Sequence, residues 1–145
     1  MILRNKDSIL NTLILLHESS FNFQLTGSHF FGGAIPGSDV DFYTEDTWAT
    51  RDFLKKLNFV QLNDGIVYDD RSITYVYRYS PTKGDGCNMA KHIDVQLIHP
   101  SYIVVKDMAQ KALYRKFGGR GLIGDKQTHN ELWNDAMLEA GLRGK

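Results

Sequence analysis

The chain has 145 residues, 42% hydrophobic and 23% charged, with Lys+Arg and Asp+Glu both totalling 17. That length suits a single domain over residues 1–145, the composition excludes a disordered chain, and zero net charge excludes a generic polyanion binder, so any nucleic-acid or nucleotide contact must come from a local patch. The single cysteine, Cys87, excludes an internal disulfide and a cysteine-based zinc site, and makes the cytoplasm the expected compartment.

The first apolar run, MILRNKDSILNTLILLHESS, is interrupted by Arg4, Lys6, Asp7, Asn11 and Thr12, so neither a signal peptide nor a membrane span is expected. Asp7 or Ser8 caps a predicted helix from Ser8 to about Glu18, with Ile9, Leu10, Leu13 and Leu16 as its apolar stripe. FNFQLTG reads as a short strand ending at Gly27, and SHFFGGAIPGS as a loop or a short helical turn. DVDFYTE alternates as a half-buried strand does. TWATRDFLKKLN is a predicted helix capped by Thr47 and anchored by Trp48; Trp133 reads as a second helix anchor. FVQLN and SITYVYRYS are strand-like and separated by a predicted turn, DGIVYDDR. After the polar loop PTKGDGCNMAK comes the alternating HIDVQLIH, then a helix opened by Pro100 and stopped by Gly118-Gly119. A last helix runs over THNELWNDAMLEAG, with Thr128 and Glu131 as a capping box. This order predicts an α+β fold, a mixed β-sheet with flanking helices gathered on one side.

The chemistry concentrates in the acids. On a strand, Asp39 and Asp41 share a face while Val40 and Phe42 turn to the core. Two carboxylates so close repel unless a cation sits between them, and hard oxygen donors suit Mg²⁺ or Mn²⁺. In HIDVQLIH the core face is Ile93, Val95 and Leu97, which leaves Asp94 on the other. If the two strands are neighbours, Asp94 completes a cluster able to hold two metals ~4 Å apart, the arrangement that serves phosphoryl transfer. Taken alone, Asp-x-Asp is common at strand ends and most examples bind nothing. Gly27-Ser28 ends an apolar strand where bare backbone and a following helical turn can cradle an anion, or simply turns the chain.

Together LTGS, a ten-residue gap, DVDFY and a later HIDVQL resemble the DNA polymerase β-like nucleotidyltransferase superfamily, over about half the chain, Leu25 to Leu97. The resemblance implies a small, single-domain enzyme on a polymerase β palm-like sheet. It implies two Mg²⁺ ions (or Mn²⁺) on Asp39, Asp41 and Asp94, and a nucleoside triphosphate such as ATP on Gly27 and Ser28. It further implies transfer of a nucleoside monophosphate to an acceptor hydroxyl, with pyrophosphate released. Additional domains usually recognise the acceptor in this family, so here a macromolecule is expected, an RNA end such as that of tRNA or a protein side chain, docked on the open side of the sheet; a small molecule is also compatible.

One departure stands out. Small members often read Gly-Ser-x-Ala-Arg-Gly, whereas here Phe30 and Phe31 take the Ala-Arg positions and Gly32 is kept. The missing positive charge must come from elsewhere: Lys83 and Lys91 are the assigned nucleotide-binding candidates, with Lys106, Lys111, Arg115, Lys116 and Arg120 behind them. Lys106 is the least favoured because Asp107 adjoins it. Phe30 and Phe31 either stack on a base or pack on the sheet, and Tyr75, Tyr77 and Tyr79 are either core or a platform beside the site. The competing readings are a catalytically idle nucleotide- or partner-binding module on the same fold, favoured by the missing basic residue, and a metal-dependent glycosyltransferase, disfavoured by the short chain.

Overall fold

The structure, a computed structural model, describes residues 8–31, 37–62, 66–69, 72–81 and 91–117, together with 131 and 135. Helix α1 (Ile9–Glu18) starts where its cap predicts: the Ser8 hydroxyl accepts the Asn11 N–H at 3.1 Å. Ile9 and Leu16 are buried and Leu13 packs against them, but Leu10 faces outward, because it falls off the Ile9–Leu13–Leu16 line. Strand β1 (Gln24–Thr26) is shorter than FNFQLTG predicts, and the residues after it form a helical turn, α2 (Gly27–Phe31). Strand β2 (Val40–Glu45) leads into α3 (Trp48–Lys56), whose Thr47 cap accepts the Thr50 N–H. Trp48 anchors nothing in the core: it is 76% exposed, with the Arg51 guanidinium 5.1 Å over its ring.

Strand β3 (Val60–Gln61) is followed by β4 (Ile66–Asp69), which lies inside the stretch expected to be a turn. Its Ile-Val-Tyr run finds a partner in β5 (Ser72–Tyr79), and that pairing overrides the turn-forming Asp and Gly residues around it. Strand β6 (Ile93–Ile98), a 3-10 turn at Pro100–Tyr102 and α4 (Ile103–Phe117) complete the described elements. Of the predicted last helix only Glu131 and Asp135 are described, and both are helical. Trp133, Lys83, Arg120 and Thr128 lie outside the described residues.

The sheet runs β1-β2-β6-β5-β3, with β4 also paired to β5. β2 and β6 are parallel, and the other pairs are antiparallel, so the sheet is mixed. One face carries the core: Tyr77, Tyr79, Ile93, Val95 and Leu97 meet Ile9 and Leu16 of α1 and Leu54 of α3. The tyrosine stripe of β5 is thus core rather than a platform. The other face is not left open, as a one-sided arrangement of helices would have it. Helix α4 lies on it, through a Tyr43–Asp107 hydrogen bond and a 2.9 Å bond from Gln110 Nε2 to the Leu25 carbonyl. Its buried residues, Lys106, Ala109, Gln110 and Leu113, follow helical spacing along one flank.

The central strand sets the stability. Leu97→Ala, at a fully buried position of β6, is expected to lower unfolding stability by about 3 kcal/mol, whereas Trp48→Ala is expected to cost less than about 1 kcal/mol. Urea titration of the two variants measures both; equal losses would contradict this placement of the core.

Candidate functional site

Registers place the acids. In the parallel pair, Asp41 of β2 is the direct partner of Asp94 of β6, as HIDVQLIH beside DVDFYTE requires. On the far side of Asp94 its antiparallel partner is Arg78 of β5, and on the far side of Asp41 the partner is Thr26 of β1. Directly opposed residues share a face, so Thr26, Asp41, Asp94 and Arg78 form one row across four strands, with neighbouring strands about 4.8 Å apart. Asp39 precedes β2 by one residue; the ladder reaches past the strand ends there, through a 3.1 Å bond from Val40 N–H to the His92 carbonyl.

The cation among these acids is a residue that the motif left out. Arg78 grips Asp94 with both arms, Nε to Oδ1 at 2.7 Å and Nη2 to Oδ2 at 2.9 Å, and its Nη2 lies 4.0 Å from Asp39 Oδ2. The sequence did carry a signal. Arg78 interrupts the Tyr75-Tyr77-Tyr79 alternation on the opposite face and is the only charged residue in SITYVYRYS. Without the β5–β6 register nothing connected it to Asp94. Lys91, the described member of the assigned lysine pair, is exposed; Arg78 takes the place against the acids.

Asp41 bears the strain of the row. Burial first, then the Asp94 and Asp39 charges, push its carboxyl up from 3.8 to about 6, while His29 and Arg78 partly offset this. His29, in α2, is held by a 3.2 Å contact of its Nε2 with the Ser38 carbonyl. Gly27 presses directly on the same carboxyl. It has φ +69, and a Cβ there would overlap Asp41 Oδ2 and stand 3.0 Å from Asp41 Cβ and Cγ. The Gly-Ser turn and the acids, ten residues apart in sequence, are therefore in contact through Gly27, and Ser28 follows in the first turn of α2.

Along the same face, one strand step from Asp41, stands Tyr43. Its hydroxyl donates to Asp107, and burial followed by that bond pushes its own ionisation above the usual tyrosine range. Lys106 lies 5.6 Å over the Tyr43 ring, is 1% exposed, and is brought down to about 7 by burial alone. The adjoining Asp107 accepts the Tyr43 hydroxyl. Lys111 and Arg115 are exposed, with Arg115 Nε 3.4 Å from the Lys111 carbonyl. Phe30 packs on Tyr114 of α4 with ring centroids 5.1 Å apart, the packing alternative. His92 pairs with Ser80 at 2.7 Å. A cleft of about 410 Å³ lies at the other end of β2, lined by Ser20, Asn22, Thr44, Glu45, Thr50 and Asp107, and holds no member of the acidic row.

The donor chemistry, three carboxylates at one end of one face, suits a hard divalent cation. Among the described residues, however, no three acidic, histidine or cysteine groups stand close enough to cage a metal as they are. The guanidinium of Arg78 supplies positive charge beside Asp94 and Asp39. No helix among the described residues is long and apolar enough to cross a membrane. No protein-family model, curated protein or solved structure matches the chain.

Two predictions follow from Asp41. Its raised value means that the metal-free native state retains a proton that the unfolded chain releases. Stability is then full below about pH 4 and falls as pH rises through about 6, by on the order of 1–2 kcal/mol once solvent screening is allowed for. Asp41→Asn should remove this decline and melt above the parent at pH 7.5; identical pH profiles of Tm would refute it. Gly27→Ala should cost about 2 kcal/mol from the left-handed backbone and the clash together. In an Asp41→Gly background the clash part should vanish, which a double-mutant cycle reads as non-additivity.

Proposed function

We propose that the chain is a metal-dependent nucleotidyltransferase of the DNA polymerase β-like type, transferring a nucleoside monophosphate from a triphosphate to an acceptor hydroxyl. The observation that carries this reading is the contact of three sequence-distant features: Asp41 and Asp94 as register partners, with Gly27 against Asp41. A metal-binding aspartate pair needs neighbouring carboxylates on one face, and a phosphate turn needs bare backbone beside them. Asp39, Asp41 and Asp94 would hold Mg²⁺ or Mn²⁺, which supplies charge neutralisation at the phosphates and a more acidic acceptor hydroxyl.

The protein's own residues do the remaining work. Gly27 and Ser28 present the backbone of α2 to the β- and γ-phosphates. Asp94, on the central strand, orients the acceptor hydroxyl and takes up its proton as the oxygen attacks the α-phosphorus. The bond to the bridging oxygen breaks, pyrophosphate leaves with that electron pair, and a phosphodiester or phosphoester remains on the acceptor. Positioning and electrostatics carry such a transfer, and no covalent protein intermediate is required. With α4 over the Tyr43 part of the face, the acceptor approaches at the strand ends beside Asp39, and a macromolecular hydroxyl suits that edge better than a deep pocket would.

A second reading has one observation behind it. Arg78 already supplies a positive charge to Asp94 and Asp39, which reduces the cost of keeping the acids without a metal, as a catalytically idle nucleotide-binding module would. Labelled NTPs with Mg²⁺, offered RNA and protein acceptor pools, separate the two. The expected result is label transfer with pyrophosphate release, reduced at least about 100-fold in Asp39→Asn, Asp41→Asn and Asp94→Asn with unchanged circular dichroism. Binding without turnover in every pool would favour the idle module, and variants as active as the parent would end the nucleotidyltransferase reading.

A further inference from the structure

We propose that Arg78 serves two partners in turn, the Asp94 carboxylate while the acids are metal-free and the triphosphate once a divalent cation has taken its place. The inference rests on the nucleotidyltransferase reading and supplies what that reading lacks, a cation for the phosphates. The motif position that carries arginine in similar small enzymes is Phe31 here, and among the described residues Arg78 is the basic side chain in contact with the acids, at 2.7 Å from Asp94 and 4.0 Å from Asp39.

Geometry supports an exchangeable grip. A guanidinium fork that fits the two oxygens of a carboxylate fits two oxygens of a phosphate equally well, so the same two N–H groups can change partner without loss of hydrogen bonds. Arg78 keeps 33% of its side chain exposed and Asp39, its more distant acid, 34%, while Asp94 is 14% exposed. By contrast Arg51, two-armed with Asp46, lies over the Trp48 and Tyr75 rings at 5.1 and 4.5 Å, and among the described residues its ion pair is with Asp46 alone. Arg78 also cannot balance its cluster alone: one guanidinium, forked on Asp94 and 4.0 Å from Asp39, faces three carboxylates. A divalent cation entering between Asp41 and Asp94 competes with Arg78 for the Asp94 oxygens. The displaced side chain, fixed at its Cα in the same cross-sheet row, is then free to turn to phosphates bound beside the acids.

The test reads metal and phosphate separately, on the full chain. Mn²⁺ alone, followed by electron paramagnetic resonance, should bind Arg78→Gln about tenfold more tightly than the parent, because a competing cation is gone. Inorganic tripolyphosphate with Mg²⁺, followed by calorimetry, should bind the same variant about tenfold more weakly. Arg78→Lys keeps the charge without the fork and should fall between in both. Asp94→Asn frees Arg78 and should bind tripolyphosphate in EDTA several-fold more tightly than the parent, a gain that the Asp94→Asn/Arg78→Gln double variant loses; this arm decides the matter if Arg78→Gln does not fold. Affinities for metal and tripolyphosphate that move together, or not at all, in a folded Arg78→Gln would overturn the Arg78 proposal while leaving the nucleotidyltransferase reading in place. A parent protein that binds neither Mn²⁺ nor Mg²⁺-tripolyphosphate would remove both.

Discussion

Parallel pairing of β2 with β6 brings Asp41 directly alongside Asp94, and the polar half of the molecule is organised around that adjacency. The core face fixes that register: Ile93, Val95 and Leu97 of β6 are fully buried, and a slip of one residue would turn them to the polar face and Asp94 into the core. The core therefore enforces a repulsion that the acids would escape if they could. Three compensations are visible. Arg78 comes from β5 as a counter-charge, Asp41 holds its proton more tightly, and the row sits at the strand ends where Asp39 and Arg78 remain part-exposed.

Two arginine–aspartate forks illustrate how context separates a structural ion pair from one that can be reused. Arg51 and Asp46 are five residues apart, and their bond ties the start of α3 to the end of β2. Aromatic rings cover the guanidinium, so its charge has no other use. Arg78 and Asp94 are sixteen residues apart in sequence and adjacent only because β5 and β6 pair. Their fork is bounded on one side by Asp39 and Asp41. What separates the two forks is the arginine: Arg78 keeps a third of its side chain exposed and has Asp39 beside it, whereas Arg51 is 19% exposed.

Helix α4 divides the acidic face into two parts. Over Tyr43 it closes the face, burying Lys106 so that its ammonium is brought down to about 7, and leaving Gln96 Oε1 and Gln110 Oε1 buried without hydrogen-bond partners among the described residues. The Asp41–Asp94 row lies beyond Tyr43, toward the ends of β2 and β6. The Phe30–Tyr114 contact links α2 to α4, so the turn that follows Gly27 leans on the same helix that bounds the site. Of the two phenylalanines in α2, Phe30 thus has a structural role.

Much of this was legible in the residues. Alternation in DVDFYTE and HIDVQLIH sorted core from polar positions, because side-chain direction along a strand has a period of two whatever its neighbours are. Capping at Ser8 and Thr47 was readable for the same reason: it depends on three or four consecutive residues. What depends on partners was not readable. β4 was expected to be a turn because only its pairing with β5 makes it a strand, Trp48 was expected to be an anchor because nothing local reveals that its side of α3 faces solvent, and α4 was placed on the wrong side of the sheet. Arg78 is the clearest case. Its identity and its face follow from the sequence, but its place beside Asp94 is a matter of register between two strands, and register is decided by the whole sheet closing over one core. The sequence by itself determined which acids could act together and which face they occupy; only the tertiary structure decided which cation meets them, because long-range pairing has no local code.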